Sequence, residues 1–235
     1  MSRLLRSELV KVLTIRTLLW IALGNIAIVL ITAISVAASS GLLQGADDQR
    51  GAAQIAASAI VFALLSGIIV MAGEARHGTI TQTLLVTPVR ERVVVAKVAV
   101  AAAVGLVLAL VAEALVLLVL VPASLDVDQA RGVLVGILVG APLAAALGVG
   151  LGAVVHAQGA AIGISLAWLL IGEGLMPRIS DTATKYTPGR AFGALASGVR
   201  DGGEILGMAG GGVAAVVWTA ILVAGGLFAL LGRDV

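Results

Sequence analysis

Side chains that could do chemistry are few in this chain, and a cluster of charged and hydroxyl side chains lies between Gly73 and Lys97. The sequence has no cysteine and two histidines, His77 and His156, which excludes thiol catalysis and cysteine metal sites. Gly163–Leu166 reads GISL, but it lacks the second glycine of a serine nucleophile elbow and no histidine lies downstream. The HExxH zinc motif is absent as well. The sequence therefore predicts a protein that is not an enzyme by itself.

The elements that must position these side chains are strongly apolar. Of the 235 residues, 60% are hydrophobic and 12% are charged, against about 25% charged residues in a typical soluble domain. Six runs approach or exceed the roughly 20 residues that cross a hydrocarbon core as a helix. We therefore predict an all-α polytopic membrane protein, with a single transmembrane domain over residues 1–235. The predicted spans are 18–39, 54–73, 96–121, 132–155, 159–176 and 208–231.

The distribution of Lys and Arg predicts how these spans are oriented, because short basic loops stay in the cytoplasm. Residues 1–17 carry four cations and the connection 74–95 carries Arg76, Arg90 and Arg92, whereas the first connection carries only Arg50. We expect both termini and residues 74–95 in the cytoplasm, and the long loop 177–207 outside the cell. The net charge of +2 is small and dispersed, so no nucleic-acid partner is expected.

Residues 1–17 precede the first predicted span and have an amphipathic pattern. Leu5, Leu9, Val12 and Leu13 share one helical face. This pattern is typical of a helix that lies in the cytoplasmic interface of the membrane. The alternative is a charged tail ahead of the first span.

A short helix is predicted within the polar segment 74–95. Thr79 can cap it, since Gln82 follows three residues later and completes a capping box. Pro88 disfavours helical geometry at the residue before it and so ends the helix. The predicted helix, residues 80–86, has about two turns and is too short to be stable in water without a packing partner. That partner is either the underside of this protein or a groove on another protein, and the local pattern leaves both open.

The stretch EARHGTITQTLLVTPVRERVVVAK, residues 74–97, resembles the signature of the type-2 ABC-exporter permeases. In that family an acidic residue ends the second span, and an R-x-G-T-like turn, a T-L-L-x-T-P core, a basic cluster and a lysine follow. PGRAFGALA at 188–196 is similar to a segment that precedes the last span in such proteins. The matching positions of the signature are Glu74, Arg76, Gly78, Thr79, Thr83, Leu84, Leu85, Thr87, Pro88, Arg90, Arg92 and Lys97.

The resemblance implies a function and a set of partners. In such permeases the short cytoplasmic helix is a coupling helix that docks on a separate ATPase subunit. The sequence has no G-x-x-x-x-G-K-[ST] phosphate loop, so this chain would bind no cofactor and ATP-Mg would bind to the partner. Two ATPase copies and a second permease copy, or a sister permease, would complete a complex in the bacterial cell membrane.

The resemblance also assigns roles within the segment. Leu84 and Leu85 are expected to make apolar contacts with the ATPase, and Arg90 and Arg92 are expected to make polar ones. Glu74 either pairs with a basic residue across that interface or is a solvated acid at a helix end. The full set of expected ATPase-coupling residues is Glu74, Arg76, Thr79, Gln82, Leu84, Leu85, Pro88, Arg90 and Arg92.

Glu113 is the one carboxylate well inside a predicted span. An acid at the centre of a membrane helix costs roughly 2.5–3.5 kcal/mol on insertion scales. It is interpreted as lining a possible substrate pathway, or else as contacting a neighbouring hydroxyl or a lipid headgroup. Glu173 lies near the end of its span, and its side chain is expected to reach water. Ion-coupled secondary transport, which usually needs several buried polar groups, and a non-transporting scaffold are the alternative functions.

Small residues recur every four positions along the fourth predicted span. Such a stripe lets another helix approach closely, so we expect it to serve packing. Pro142 lies in the middle of this span and is expected to kink it. The stripe consists of Gly132, Gly136, Gly140, Ala144, Gly148 and Gly152.

Overall fold

The structure, a computed structural model, describes residues 2–39, 43, 45–76, 89–199 and 206–232, with the backbone alone for residues 2, 3 and 74–76. All regular secondary structure in this part of the chain is helical. Six helical stretches within it are long and apolar enough to cross a membrane, which confirms the prediction of an all-α multi-pass membrane protein. In chain order, these first to sixth spans are Arg16–Ala38, Ala46–Gly73, Arg90–Leu120, Val127–Val155, Gln158–Arg178 and Met208–Leu231.

Several spans contain more than one helical element. The second joins two helices through a 3-10 turn at Gln54–Ala57, and the fifth continues through a π-helical turn at Trp168–Gly172 and a 3-10 turn at Met176–Arg178. The helices are α1 Ser2–Thr14, α2 Arg16–Ala38, α3 Ala46–Ala53, α4 Ser58–Arg76, α5 Arg90–Leu120, α6 Val127–Val155, α7 Gln158–Ala167, α8 Glu173–Leu175, α9 Asp181–Lys185, α10 Pro188–Leu195 and α11 Met208–Leu231.

The second and third spans begin earlier than the sequence predicted, at Ala46 and Arg90 rather than at residues 54 and 96. Hydrophobicity defined the predicted starts, whereas the helices begin in polar sequence. At the second span, Asp47 and Asp48 occupy the first turn, where negative charge complements the helix dipole. The Asp48 carboxylate also accepts a hydrogen bond from the Gly45 amide at 3.1 Å. Polar residues therefore extend these helices beyond their apolar parts.

Contacts near the start of the third span show which helix ends lie together. Arg90 donates hydrogen bonds to backbone carbonyls at the end of the sixth span, and Lys97 contacts Glu8 of α1. We call this end of the bundle the N-terminal end. The opposite end, where the fifth span leads into α9 and α10, is called the distal end.

The fourth span packs against the second, third and sixth spans and forms the centre of the bundle. The predicted stripe of small residues makes these contacts close. A Cβ atom at Gly148 would lie 2.2 Å from the Leu64 carbonyl oxygen, and one at Gly136 would lie 2.0 Å from the Leu195 carbonyl oxygen. These contacts confirm the packing role of the stripe. The helix α6 also continues through Pro142 without interruption.

Gly148→Leu should destabilise the bundle by about 1–3 kcal/mol or more, because the new side chain must displace helix backbone. Gly163→Leu is the matched control, since nothing lies within 4 Å of a Cβ atom built at Gly163 in the fifth span. We expect that control to change stability by less than about 0.5 kcal/mol. Denaturant titration in detergent measures both, and equal losses would contradict the assignment of Gly148 to a backbone contact.

α10 packs into the bundle rather than lying on its surface. Its residues Ala191, Phe192, Ala194 and Leu195 are buried. A Cβ atom at Gly211 of the sixth span would lie 2.6 Å from the Leu195 backbone nitrogen, so the two helices are in backbone contact. The predicted loop 177–207 therefore contains a helix that contributes to the core at the distal end.

Candidate functional site

The predicted coupling segment lies between two helix ends that the structure describes. α4 runs to Arg76 and the third span begins at Arg90. Glu74 and Arg76 belong to the last turn of α4, but their side chains lie outside the described part of the chain. The predicted helix over 80–86 also lies outside it, as do the expected coupling residues Thr79, Gln82, Leu84, Leu85 and Pro88.

Arg90 and Arg92 follow this segment and have different surroundings. The Arg90 guanidinium donates to the carbonyl oxygen of Leu230 and, at 3.4 Å, to that of Leu231. Carbonyls in the last turn of a helix have no partner within the helix, so a cation satisfies them and complements the dipole. Arg92 is exposed. Arg90 thus ties the start of the third span to the end of the sixth, and Arg92 projects from the surface.

A buried ion pair, which the sequence reasoning missed, lies behind these arginines. Lys97 is 0% exposed, and its Nζ atom lies 2.8 Å from Glu8 Oε2 and 3.5 Å from the Val70 carbonyl oxygen. Glu8 is 1% exposed, and its Oε1 atom accepts a hydrogen bond of 2.6 Å from Lys11 Nζ. One carboxylate therefore joins α1 to the third span, and the lysine also contacts the second.

The electrostatics of Glu8 favour its charged form. Burial raises the pKa of the Glu8 carboxyl group, but the charges of Lys97 and Lys11 and their hydrogen bonds outweigh burial and hold it below 4.5. A carboxylate with a lowered pKa stabilises the folded state above its unfolded pKa, and this contribution is lost as the pH falls through the folded pKa. The contact between α1 and the third span is therefore an ionic one near neutral pH.

A signal for this pair was present in the sequence. Glu8 lies three positions after Leu5 and four before Val12, so it shares the apolar face of α1. Lys97 is likewise a cation placed inside an apolar run. Each is costly alone in a membrane protein, and two such residues of opposite charge indicate a pair.

A cavity of about 370 Å³ adjoins the ion pair at the N-terminal end. It lies where α1 meets the first, second and fifth spans. Gly73, which precedes the coupling segment, also lines it, so the cavity is beside the start of that segment. Its polar lining side chains are Glu8, Lys11, Thr14, Thr17 and Gln158.

Glu113 is buried in the third span, as the sequence predicted for a carboxylate far from either end of its span. Its Oε1 atom has no hydrogen-bond partner among the described residues. By contrast, Asn25 in the first span donates to the Leu108 carbonyl at 3.3 Å and accepts from Ser58 Oγ at 3.1 Å. Buried polar atoms are usually paired, so Glu113 is a candidate for binding a group from outside the described chain.

Glu173 was expected to reach water, and this expectation is wrong. The residue is 9% exposed, and its carboxylate accepts hydrogen bonds from Trp168 Nε1 at 3.0 Å, Thr187 Oγ1 at 2.6 Å and the Gly189 amide at 2.7 Å. Two of these donors lie at the start of α10, where backbone N–H groups lack partners within the helix. The position of Glu173 near the end of its span did not show that α10 folds back onto the fifth span. Glu173 anchors α10 there.

The π-helical turn explains how Trp168 reaches this carboxylate. A π-turn closes over five residues, and Trp168 and Glu173 are five positions apart. A Cβ atom at Gly172 would lie 2.8 Å from the Trp168 ring, so glycine is needed for the ring to lie over the turn. The turn, the glycine and the carboxylate form one local unit at the distal end.

No cluster of three or more potential metal ligands occurs in the part of the chain that the structure describes. No protein-family model matches this chain, and no curated protein is significantly similar to it. The resemblance to the exporter permeases therefore rests on the motif at 74–97, the segment at 188–196 and the number of spans.

Proposed function

We propose that this chain is the membrane subunit of an ATP-driven exporter, with a translocation pathway among its spans and a separate ATPase subunit bound at the predicted coupling helix, residues 80–86, and the residues that flank it. The observation that supports this most is the anchoring of the helix end that follows this segment. Arg90 and Lys97 connect the start of the third span to the sixth span, the second span and α1. The segment thus adjoins a point where four elements meet.

In this proposal, a displacement of the segment reaches several spans together. If Lys97 separated from Glu8, a buried charge would be left without its partner, which typically costs about 3–5 kcal/mol. The polar contacts of Lys97 and Arg90 therefore transmit movement rather than yield to it. α1, the second, third and sixth spans would move together.

Coupling also places a requirement on the ATPase. It must bind the segment with different affinity in its two nucleotide states, because equal binding shifts no equilibrium. Converting a 1:99 population into 99:1 takes about a 10,000-fold difference in affinity. ATP-Mg would bind to the ATPase, and two ATPases with a second copy of this chain or a sister permease would complete the transporter.

Glu113 is the proposed polar group of the pathway. The buried Oε1 atom lacks a partner within the described residues, so a cargo group or a second permease copy could supply one. If this oxygen has a hydrogen-bond partner in only one state of a transport cycle, that partner binds with different affinity in the two states.

The double substitution Leu84→Asp, Leu85→Asp should abolish retention of the ATPase while the permease stays folded. Two charges in an apolar docking surface each carry a desolvation penalty, and we expect binding to weaken by more than about 100-fold. The measurement is copurification from mild detergent after coexpression with candidate ATPases, together with a thermal melt of the permease.

The control for this experiment is Leu231→Asp, which places an acid on an exposed leucine at the N-terminal end. ATPase retention should be unchanged in that variant. Equal retention by the double variant and the native chain would dismiss the docking assignment. Failure of every candidate ATPase to copurify with the native chain would remove the main support for the exporter.

Ion-coupled secondary transport is the second candidate, and the Oε1 atom of Glu113, which has no partner among the described residues, favours it. A carboxylate inside a span is the usual group of proton-coupled carriers. Transport by reconstituted vesicles separates the two functions. Transport by an ATP-driven exporter needs ATP and the ATPase and continues when the proton gradient is collapsed. Transport by an ion-coupled carrier needs no ATP and stops when the gradient is lost.

A further inference from the structure

A second cavity, of about 210 Å³, lies between the second, fourth and fifth spans and α10, and the proposed function makes no use of it. Every residue that lines it is apolar or glycine, and the largest are Ile60, Leu64, Leu147, Leu169 and Phe192. An apolar cavity of about 150 Å³ stays dry and binds benzene. In proportion, this cavity has space for about eight carbon atoms, the size of a segment of acyl chain.

The wall that α10 contributes is held firmly in place. Glu173 binds the start of α10 through Thr187 and Gly189. At the other end, Gly136 and Gly211 allow backbone contact with Leu195. The cavity is therefore bounded by fixed helices, and collapse of α10 into it would break these contacts.

Gly193, on the cavity side of α10, has no partner that explains it. No described atom lies within 4 Å of a Cβ atom built there. Glycine within a helix is destabilising relative to alanine, and at Gly136 and Gly211 a close backbone contact accounts for it. At Gly193 no such contact accounts for the glycine. The open space beside it suits a ligand that lies against the helix backbone.

Arg190 places a positive charge on the helix that lines the cavity. Residues 173–199 contain three cations, Arg178, Lys185 and Arg190, and two acids, Glu173 and Asp181. Arg190 is exposed and lies on α10, one turn before Gly193. Since the Glu173 carboxylate is buried and accepts three hydrogen bonds, the surface next to the cavity is suited to an anionic group.

We propose that this cavity holds part of an acyl chain of an anionic phospholipid, whose headgroup lies near Arg190. The apolar lining receives the chain, the bare backbone at Gly193 admits it, and Arg190 binds the phosphate. Membrane lipid is the source of this ligand. The inference does not depend on transport, because it concerns the chain without an ATPase.

The test is photo-crosslinking in lipid nanodiscs that contain phosphatidylglycerol with a diazirine in the middle of the acyl chain. Peptides that contain Leu64 and Phe192 should be labelled above the level at Leu118, which is 71% exposed on the outer surface of the third span. Gly193→Phe should occupy part of the cavity and lower this labelling by about tenfold, the factor that corresponds to excluding two buried methylene groups. Gly193→Leu should act in the same direction.

Gly163→Phe is the matched control, because Gly163 also has open space before it but does not line the cavity. Its labelling should equal that of the native chain. Arg190→Gln should reduce labelling by the phosphatidylglycerol probe to that of a phosphatidylcholine probe with the same chain. Labelling at Phe192 that matches Leu118, or that survives both Gly193 substitutions, would overturn the acyl site. Equal labelling by the two probes in the native chain would overturn the anionic headgroup.

Discussion

Glu8→Gln should lower the free energy of unfolding by about 3–5 kcal/mol, the largest effect that we expect from a single substitution. The change removes the charge that balances Lys97 and leaves its ammonium group buried in the third span. Loss of one partner of a buried ion pair is far more costly than loss of the whole pair. The measurement is denaturant or thermal unfolding in detergent, with the fraction of folded protein monitored by circular dichroism.

Two comparisons show whether the buried pair is the cause. Lys11→Gln removes a partner whose side chain is 37% exposed, so we expect about 1 kcal/mol or less. Glu8→Leu combined with Lys97→Met should be much closer to the native chain than either single change. The native protein should also lose stability as the pH falls below 4.5, whereas this double variant should lose less. Similar losses in Glu8→Gln and Lys11→Gln would refute the buried pair.

Glu173→Ala should be the second most damaging substitution, with a loss of about 3 kcal/mol or more. It removes a carboxylate that accepts from Trp168, Thr187 and Gly189, and it leaves buried donors without partners. α10 should detach from the fifth span, and the fluorescence of Trp168 should shift because its indole N–H loses its partner. Unfolding and tryptophan emission are measured on the same sample.

Asp181→Ala is the control, since this acid is exposed near the same end of the bundle. Its effect on stability should stay within about 0.5 kcal/mol. Because the chain has three tryptophans, the emission change must vanish in a Trp168→Phe background to be assigned to that ring. An unchanged melt for Glu173→Ala would mean that the three hydrogen bonds contribute nothing to the position of α10.

The sequence predicted the number of spans because hydrophobicity and length alone set them. The packing role of the stripe from Gly132 to Gly152 was predictable for a related reason: four-residue spacing puts small residues on one helix face. The start of the second span was not predictable from hydrophobicity, since Asp47 and Asp48 stabilise it through the helix dipole rather than through burial.

The polar contacts were the part that the sequence did not yield. Glu173 finds its donors on α10 and Arg90 finds carbonyls on the sixth span. Each partner lies on a different helix, and nothing in the local pattern identifies it. Glu8 was partly readable as an acid on an apolar face. The coupling residues from Thr79 to Pro88 stay predictions, since they lie outside the described residues.

The ion pair between α1 and the third span also determines an order of assembly. Glu8 and Lys97 are 89 residues apart in the chain, so during synthesis α1 is complete long before its counter-charge emerges. Until then Lys11 of the same helix is the partner of the Glu8 carboxylate. The ionic contact of α1 with the bundle can form only after the third span has been made. A nascent chain that stops before Lys97 would lack the ion pair that joins its first helix to the third span.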